Sequence, residues 1–564
     1  MNLRYRPTNV WTSPLSSRLL VVCLGILLSL RATPAWSQTT SSGAVTGMLT
    51  DQRIASSGFH DVRDYGAKGD GIAKDTAAIQ AAVDAAAKSG GGTVWLSPGT
   101  YLSGSIRLKS NITIQFATGA TLKMSPDNSD FDPDQRIAPT VTFGQALLSG
   151  DNVENVAITG GGIIDGNRSR RGGPKPIALK NSRHIAIRGL RMQNAPNYNI
   201  SLMVCEYVDI EGVTILNAYA DGIDPDCSRN VRISNVFVDS RDDSVVVKAS
   251  RGLTAGRCTT ENVTVANSVL TTTANYFKVG TESIGDFRNI AVNNIAMYPR
   301  LPDGNWKGFP NWPSSPRDEA GISINVLDGG AVDGVVVSNI AMNGVNHPLF
   351  IRLGFRGQHL PGLAADPNAA KLYGTIQNVS ISNVVATGAV GTATISGIPG
   401  YRVGRVLLEN INITMKGGER QLRGLDIPEQ EGAYSWPPMF GLRPAYAFYA
   451  RHAEGLVLRN VRVRWQDPDL RPAAIFDDVN QLDLDGFDAD TAAGSEPVVW
   501  LNQVRGATIR GASVAAAERF LLLTGKETSA VKLIGNDLSE VKTPVTQSPE
   551  VPKGAVRETG DIVK

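Results

Sequence analysis

A short unit recurs along this chain. A turn residue, often Asn, is followed by an apolar-x-apolar triplet, then often by Asn or Gly and another apolar residue. It reads NVAITGG from Asn155, HIAIRGL from His184, YVDIEGV from Tyr207, NVRISNV from Asn230, NVTVANS from Asn262 and NIAVNNI from Asn289. It continues as GVVVSNI from Gly334, NVSISNV from Asn378, RVLLENI from Arg405, GLVLRNV from Gly455, QLDLDGF from Gln481 and GATIRGA from Gly506. Between the apolar residues that open successive units the spacings are 29, 23, 23, 32, 27, 45, 44, 27, 50, 26 and 25. Period-2 alternation marks short strands, and a period near 25 with no helix between them marks stacked coils. The pattern predicts an all-β solenoid, a right-handed parallel β-helix, in which alternate side chains fill the bore and the asparagines ladder at the turns. The three long spacings are coils with a weak signal or coils that carry a long loop.

One helix precedes the coils. The stretch DTAAIQAAVDAAAKSGGG is rich in Ala, sets Ile79 and Val83 four residues apart and ends in Gly90-Gly91-Gly92. It predicts a short N-terminal capping helix near 75–88 with Asp75 at its N-cap, covering the open end of the solenoid. The β-helix is expected over 59–540 as a single domain, with a flexible Ser/Thr/Gly-rich lead-in at 38–58 and a loose tail at 541–564. Before it, Arg4, Arg6 and Arg18 lead into the apolar run Leu19–Leu30, and Ala35-Trp36-Ser37 offers a cleavage site. Residues 1–37 read as a signal peptide, so the protein is expected to be exported, secreted or periplasmic, and off the membrane after cleavage.

Composition changes this picture little. The 564 residues are 42% hydrophobic and 19% charged, and 58 glycines suit many tight turns. Loss of Arg4, Arg6, Arg18 and Arg31 with the signal peptide turns a net charge of +2 into −2, which argues against a nucleic-acid partner. Cys205, Cys227 and Cys258 allow at most one internal disulfide, and their spacing does not choose the pair.

The densest acidic cluster is Asp221-Gly222-Ile223-Asp224-Pro225-Asp226, followed one coil later by Asp242-Asp243. Counted from the strands opening at Val208 and Val231, Asp221 falls at +13 and Asp242 and Asp243 at +11 and +12. Near-equal offsets in adjacent coils put these carboxylates about 5 Å apart on one wall. Acids this close raise at least one pKa, which sets a proton donor beside ionised bases, the division that glycoside hydrolysis needs. Clustered carboxylates also suit Ca²⁺.

Asp221-Gly222-Ile223-Asp224 and Asp242-Asp243 with Ser244-Val245-Val246-Val247-Lys248 resemble the NTDG(I/F)D and DDCIAIK motifs of glycoside hydrolase family 28, the polygalacturonases. The resemblance extends over roughly residues 59–415. It implies an inverting hydrolase of α-linked galacturonate or related pectic sugars, including rhamnogalacturonan, in plant cell-wall polysaccharide or oligosaccharide. By position, Asp242 would protonate the leaving oxygen while Asp221 and Asp243 activate water, with no cofactor and a monomeric enzyme. The sequence departs from the pattern at Tyr219 and Arg241, which replace Asn and Gly. Thr273-Ala274-Asn275 stands where a Gly-His-Gly is expected, and Gly321-Ile322-Ser323-Ile324-Asn325 lacks the Arg-Ile-Lys that grips a substrate carboxylate. Asp224, Lys248, Lys278, Glu282 and Arg352 are the candidate replacements for substrate binding, with Arg356 following. Trp306 and Trp312, in the long spacing after Tyr298, suit a cleft wall on which sugars stack. Two other readings stay open: a polysaccharide lyase on the same fold, using a Lys or Arg base and calcium, and a non-catalytic glycan-binding β-helix.

Overall fold

The computed structural model describes residues 58–136, 142–250, 257–300, 320–356, 373–422 and 424–563. Among the described residues, thirty-seven strands join in one parallel sheet wound as a right-handed β-helix. The residues that open the repeated units form a single row. Val156 lies on Ile185, then Val208, Val231, Val263, Ile290, Val335, Val379, Val406, Leu456, Leu482 and Ala507. All are buried. At about 1.5–3 kcal/mol for each fully buried Val, Leu or Ile side chain, this row and the others lining the bore dominate the favourable side of folding.

The residue before each opener explains the Asn and Gly of the repeat. It sits in the left-handed region, with φ of 56° at Asn155, Asn230, Asn262 and Asn378 and 82° at Gly334. That conformation costs most L-residues about 1–2 kcal/mol, and Asn and Gly tolerate it best. The asparagine amides ladder as expected: Asn262 Nδ2 donates to Asn230 Oδ1 at 2.9 Å, and Asn289 Nδ2 to Asn262 Oδ1 at 2.7 Å. A second ladder runs through Asn267, Asn294, Asn339, Asn383, Asn410 and Asn460. Where His184 and Tyr207 replace asparagine, their rings stack at 5.0 Å.

The long spacings are coils with loops. Val292 pairs directly with Val337, Val337 with Ile381 and Leu408 with Leu458, so no coil is missed between them. The loop of the 50-residue spacing, between Val403–Gly417 and Phe448–Asp467, returns at the site below. The capping helix spans Thr76–Lys88 and buries Ile79, Ala82, Val83 and Ala86. Asp75 does not cap it. Its carboxylate instead accepts from the Lys68 and Gly69 N–H groups at 2.6 and 3.1 Å, which fixes the preceding turn.

The expected loose tail is also corrected. Strands Val541–Gln547 and Val556–Thr559 add a further coil, with Val541 on Ala517 and Val545 on Leu521. Val541, Val551 and Ala555 are buried there, so a segment rich in Pro and charge still carries enough inward apolar positions to continue the bore. Cys227 and Cys258 form the disulfide, leaving Cys205 buried and free. Residues 1–37, the lead-in as far as residue 57, Trp306 and Trp312 lie outside the described residues.

Ending the chain at Glu540 uncovers the rungs carrying Leu521, Leu523, Val531 and Leu533. The truncated protein is expected to melt at lower temperature and to aggregate with increasing concentration, because an apolar strand edge is exposed. Unchanged melting and a monodisperse scattering profile would show that the last coil is dispensable.

Candidate active site

One inward row crosses the site: Ile177, Ile200, Ile223, Val245, Phe277, Ile322 and Leu349, each stacked on the next. Two residues before each of these comes Lys175, Tyr198, Asp221, Asp243, Asn275, Ala320 and His347. Parallel stacking thus sets Asp221 directly beneath Asp243. The offsets of +13 and +12 in the sequence differ by one, and a bulge removes the difference. The register is 23 residues at Thr214/Phe237 and Ile215/Val238 but 22 at Ala218/Ser240 and Ile223/Val245. Bulges beside active sites commonly re-aim a side chain in this way.

The three aspartates come together as expected, with one carboxylate oxygen from each within 4.8 Å of the others. Each has its own cation. Lys248 Nζ donates to Asp221 Oδ2 at 2.7 Å and to Asp224 Oδ2 at 2.9 Å. Lys278 Nζ donates to Asp243 Oδ2 at 2.9 Å. Arg171 Nη1 pairs with Asp242 Oδ2. The first two cations are buried with their partners, whereas the Arg171 side chain is 29% exposed and Asp242 13%. Arg171 comes from the loop between Ile163–Asp165 and Lys175–Lys180.

Burial pushes the Asp221 carboxyl well above the usual range; the Lys248 charge opposes this, and Asp224, Asp242 and Asp243 add to it. Asp224 is raised too, by burial against the pull of Lys248. Burial works against the Lys248 ammonium, but Asp221 and Asp224 more than compensate and hold it protonated well above its ordinary value. Glu282 is depressed: burial opposes its charge, and Lys248, Arg356 and Lys278 outweigh burial.

The departures from the family pattern acquire partners. Ala274 stands at the place of the expected histidine, and the next residue, Asn275, donates to Asp243 Oδ1 through its Nδ2 at 2.8 Å and its backbone N–H at 3.1 Å. Tyr219 and Arg241 pack on each other, with the guanidinium 4.0 Å from the ring centre. Lys278, expected to meet substrate, is turned to Asp243. Glu282 pairs with Arg356 at 3.2 Å. Arg352 is a correction. It is buried, donating to the carbonyls of Leu353 and Gln430 at 2.6 Å each, and its guanidinium lies 5.2 Å from the Phe440 ring. It anchors the loop between Gly417 and Phe448 instead of reaching a ligand.

That loop also brings Tyr434 to the acids, a residue far from any motif. Its hydroxyl lies 3.2 Å from Thr281 Oγ1 and 3.5 Å from Lys278 Nζ, and 49% of its surface is exposed. Arg171, Tyr198 and Tyr434 all escape a motif search. Only Tyr198 carries a signal in the sequence, since it stands one coil of 23 residues before Asp221.

The family model described as rhamnogalacturonase A/epimerase, pectate lyase-like, matches residues 59–300. A probable polygalacturonase of Vitis vinifera is 27% identical over 384 residues, covering 62% of this chain and 73% of the relative. A polygalacturonase of Ralstonia nicotianae is 26% identical over 312 residues, covering 44% and 55%. The fold is that of a hyperthermoactive exopolygalacturonase from Thermotoga maritima, with a TM-score of 0.56 at 19% identity over 74% of this chain and 93% of that one. The chain is therefore similar in sequence to polygalacturonases and shares the solenoid of one of them.

Replacing Lys248 by Met removes the charge that holds Asp221 down. With that charge gone the Asp221 pKa rises, and its proton is lost only at higher pH. The infrared band of protonated carboxyl is expected to persist about one pH unit or more higher in K248M than in wild type, and to lose the contribution of Asp221 in D221N. An unshifted band would separate Lys248 from Asp221 energetically.

Proposed function

We propose that this chain is a glycoside hydrolase that cleaves pectic polysaccharide by acid–base hydrolysis. The observation that carries the reading is the unequal grip on three carboxylates within 4.8 Å of one another. Asp221 and Asp243 each accept from a buried ammonium group, the Lys248 charge opposing the burial that raises Asp221, whereas Asp242 is the most exposed of the three and is held by a surface-loop arginine. Asp242 gives its proton to the glycosidic oxygen as the bond to the anomeric carbon breaks. A water placed by Asp221 and Asp243 attacks that carbon and surrenders its proton to one of them. Asp224 and Asn275 orient the bases through Lys248 and Asp243.

The lyase reading needs a neutral Lys or Arg as base. Lys248 is held strongly protonated, and Lys175, which burial lowers to about 8, points to Thr142 O and Ser201 Oγ. Separation bears on stereochemistry. One oxygen of each carboxylate lies within 4.8 Å of the others, which is nearer the ~5 Å associated with retention than the ~6.5–9.5 Å associated with inversion. Two bases sharing one water, however, hold it without a wide gap, and this favours the inversion that the family resemblance implies.

The Cys227–Cys258 disulfide, together with the signal-like N-terminus, supports an exported protein, since disulfides persist in oxidising compartments. No helix among the described residues is long and apolar enough to cross a membrane. The substrate is a plant cell-wall polysaccharide or oligosaccharide, acted on by a monomer.

Homogalacturonan, rhamnogalacturonan and their oligomers, scored for new reducing ends, are expected to include a substrate. D242N should lose about 10²–10⁴-fold in rate. Proton NMR of the nascent product should show the anomer opposite to the bond cleaved, with activity unchanged by chelator. An unsaturated, ultraviolet-absorbing product would overturn hydrolysis, and full activity in D242N would overturn the site.

A further inference from the structure

We infer that Tyr434 is a sugar-binding wall of the cleft, against whose ring one pyranose of a pectic chain stacks beside the acids. The inference rests on the hydrolase reading above and extends it to how the sugar ring is recognised.

Tyr434 stands on a loop that is fixed on both sides of it. Before it, Arg451 donates to the Ile427 and Pro428 carbonyls at 2.8 and 2.7 Å, and Arg352 to that of Gln430 at 2.6 Å. The Phe355 N–H donates to the Glu431 carbonyl at 2.8 Å. After it, Ser435 Oγ donates to Asn325 Oδ1 at 2.6 Å, and Phe440 packs on Ala320 and Phe350. Phe440 shows where an aromatic ring of this loop goes when its task is packing, for it is 3% exposed, whereas Tyr434 is 49% exposed. A tyrosine at a surface commonly packs its ring and leaves its hydroxyl to water. Here the hydroxyl is the tied end, 3.2 Å from Thr281 Oγ1 and 3.5 Å from Lys278 Nζ. Lys278 Nζ and Arg356 Cζ stand 5.6 and 5.9 Å from the ring centre, near the ~6 Å limit of a cation–ring contact, so they flank the ring and leave it open.

The place of the ring points to its ligand. The ammonium that meets its hydroxyl also donates to Asp243 Oδ2 at 2.9 Å, and the charges of Lys278, Glu282, Asp243 and Asp242 all act on that hydroxyl. A molecule lying on the ring is therefore next to the acids. A pyranose suits both surfaces at once: C–H groups on its face meet the aromatic ring, and its hydroxyls meet the polar groups around it. Other aromatic rings near the acids, among the described residues, are taken or buried. Lys248 Nζ lies 4.1 Å from the Tyr198 ring centre, the Arg241 guanidinium lies over Tyr219, and Phe355 is 7% exposed.

The test is calorimetric binding of trigalacturonic acid and of a rhamnogalacturonan tetrasaccharide to D242N, which leaves the sugar uncleaved, and to D242N combined with Y434F, Y434L or Y434A. At least one sugar should bind D242N. Y434F keeps the ring and should bind that sugar within about threefold of D242N, whereas Y434L and Y434A should lose about 10–100-fold. With Asp242 in place, Y434A should raise KM by a similar factor and leave kcat within a few-fold. Unchanged affinity in Y434A overturns the inference, as does full affinity in Y434L, which keeps the bulk without the aromatic face. Equal losses in Y434F and Y434A overturn it too, because the hydroxyl tie to Thr281 is then what matters and the ring only props the loop. Cleavage by the wild type, scored on the same sugars and on their polymers, separates this inference from the hydrolase reading. Ring-dependent binding without cleavage supports the wall and overturns hydrolysis, whereas cleavage with a wild-type KM in Y434A overturns the wall alone. Sugars that neither bind nor are cleaved overturn both.

Discussion

Each coil must set its residues over those of the coil before it, about 4.8 Å away, and everything else in this molecule follows from that stacking. The rule rewards residues that gain from meeting their own kind. Valine on isoleucine fills the bore, and asparagine on asparagine pairs an amide donor with an amide acceptor while accepting the left-handed turn. Aspartate gains nothing from its own kind, since like charges directly opposite repel. The register that makes the core cohesive therefore forces Asp221 and Asp243 together, and the rigidity of many paired rungs holds them there.

The same register supplies the relief. Lys278 pairs across Val246, and Lys248 across Asp226, so both ammonium groups reach the acids from neighbouring rungs of one sheet. The candidate site is where the ladder of like residues fails. Lys175, Tyr198, Asp221, Asp243, Asn275, Ala320 and His347 share one row, and no two are alike. A β-helix turns sequence positions about a coil apart into neighbours, so a few unlike residues in one row suffice to build a polar cleft on an otherwise uniform wall.

This explains what could be read from the chain and what could not. The period, the bore and the grouping of Asp221, Asp242 and Asp243 depend on spacing within strands, which alternation and counting reveal. The one-residue bulge before Asp221 does not show in that count, although near-equal offsets sufficed to bring the acids together. Contacts made by loops were not legible. Arg171 reaches Asp242 across 71 residues, and Tyr434 reaches Lys278 across 156. Both contacts are made by loop residues, which have no strand register from which to count. Arg352 failed as a candidate for the converse reason. It lies on a strand near the acids, but the loop that buries it has no signature of its own. The last coil was missed because Pro544 and Pro552 and a run of charged residues mask its inward Val541, Val551 and Ala555.

The charge count of the cluster bears on how it works. Asp221, Asp224, Asp242 and Asp243 meet Lys248, Lys278 and Arg171. Groups this close titrate together, so a proton taken up there belongs to the set as a whole. With Ala274 at the place of a histidine, the neighbouring Asn275 offers Asp243 an amide donor that never titrates. His347, further along the row, is held neutral by burial and by the charge of Arg443, which push it down to about 3. No imidazole near its ordinary pKa therefore shares the proton, and its position is set by how firmly each carboxylate is held. Lys248 and Lys278 reach the acids from strands of the wall, whereas Arg171 reaches Asp242 from a loop, so the two kinds of hold answer to different parts of the chain: the first to the register of the coils, the second to the loop alone.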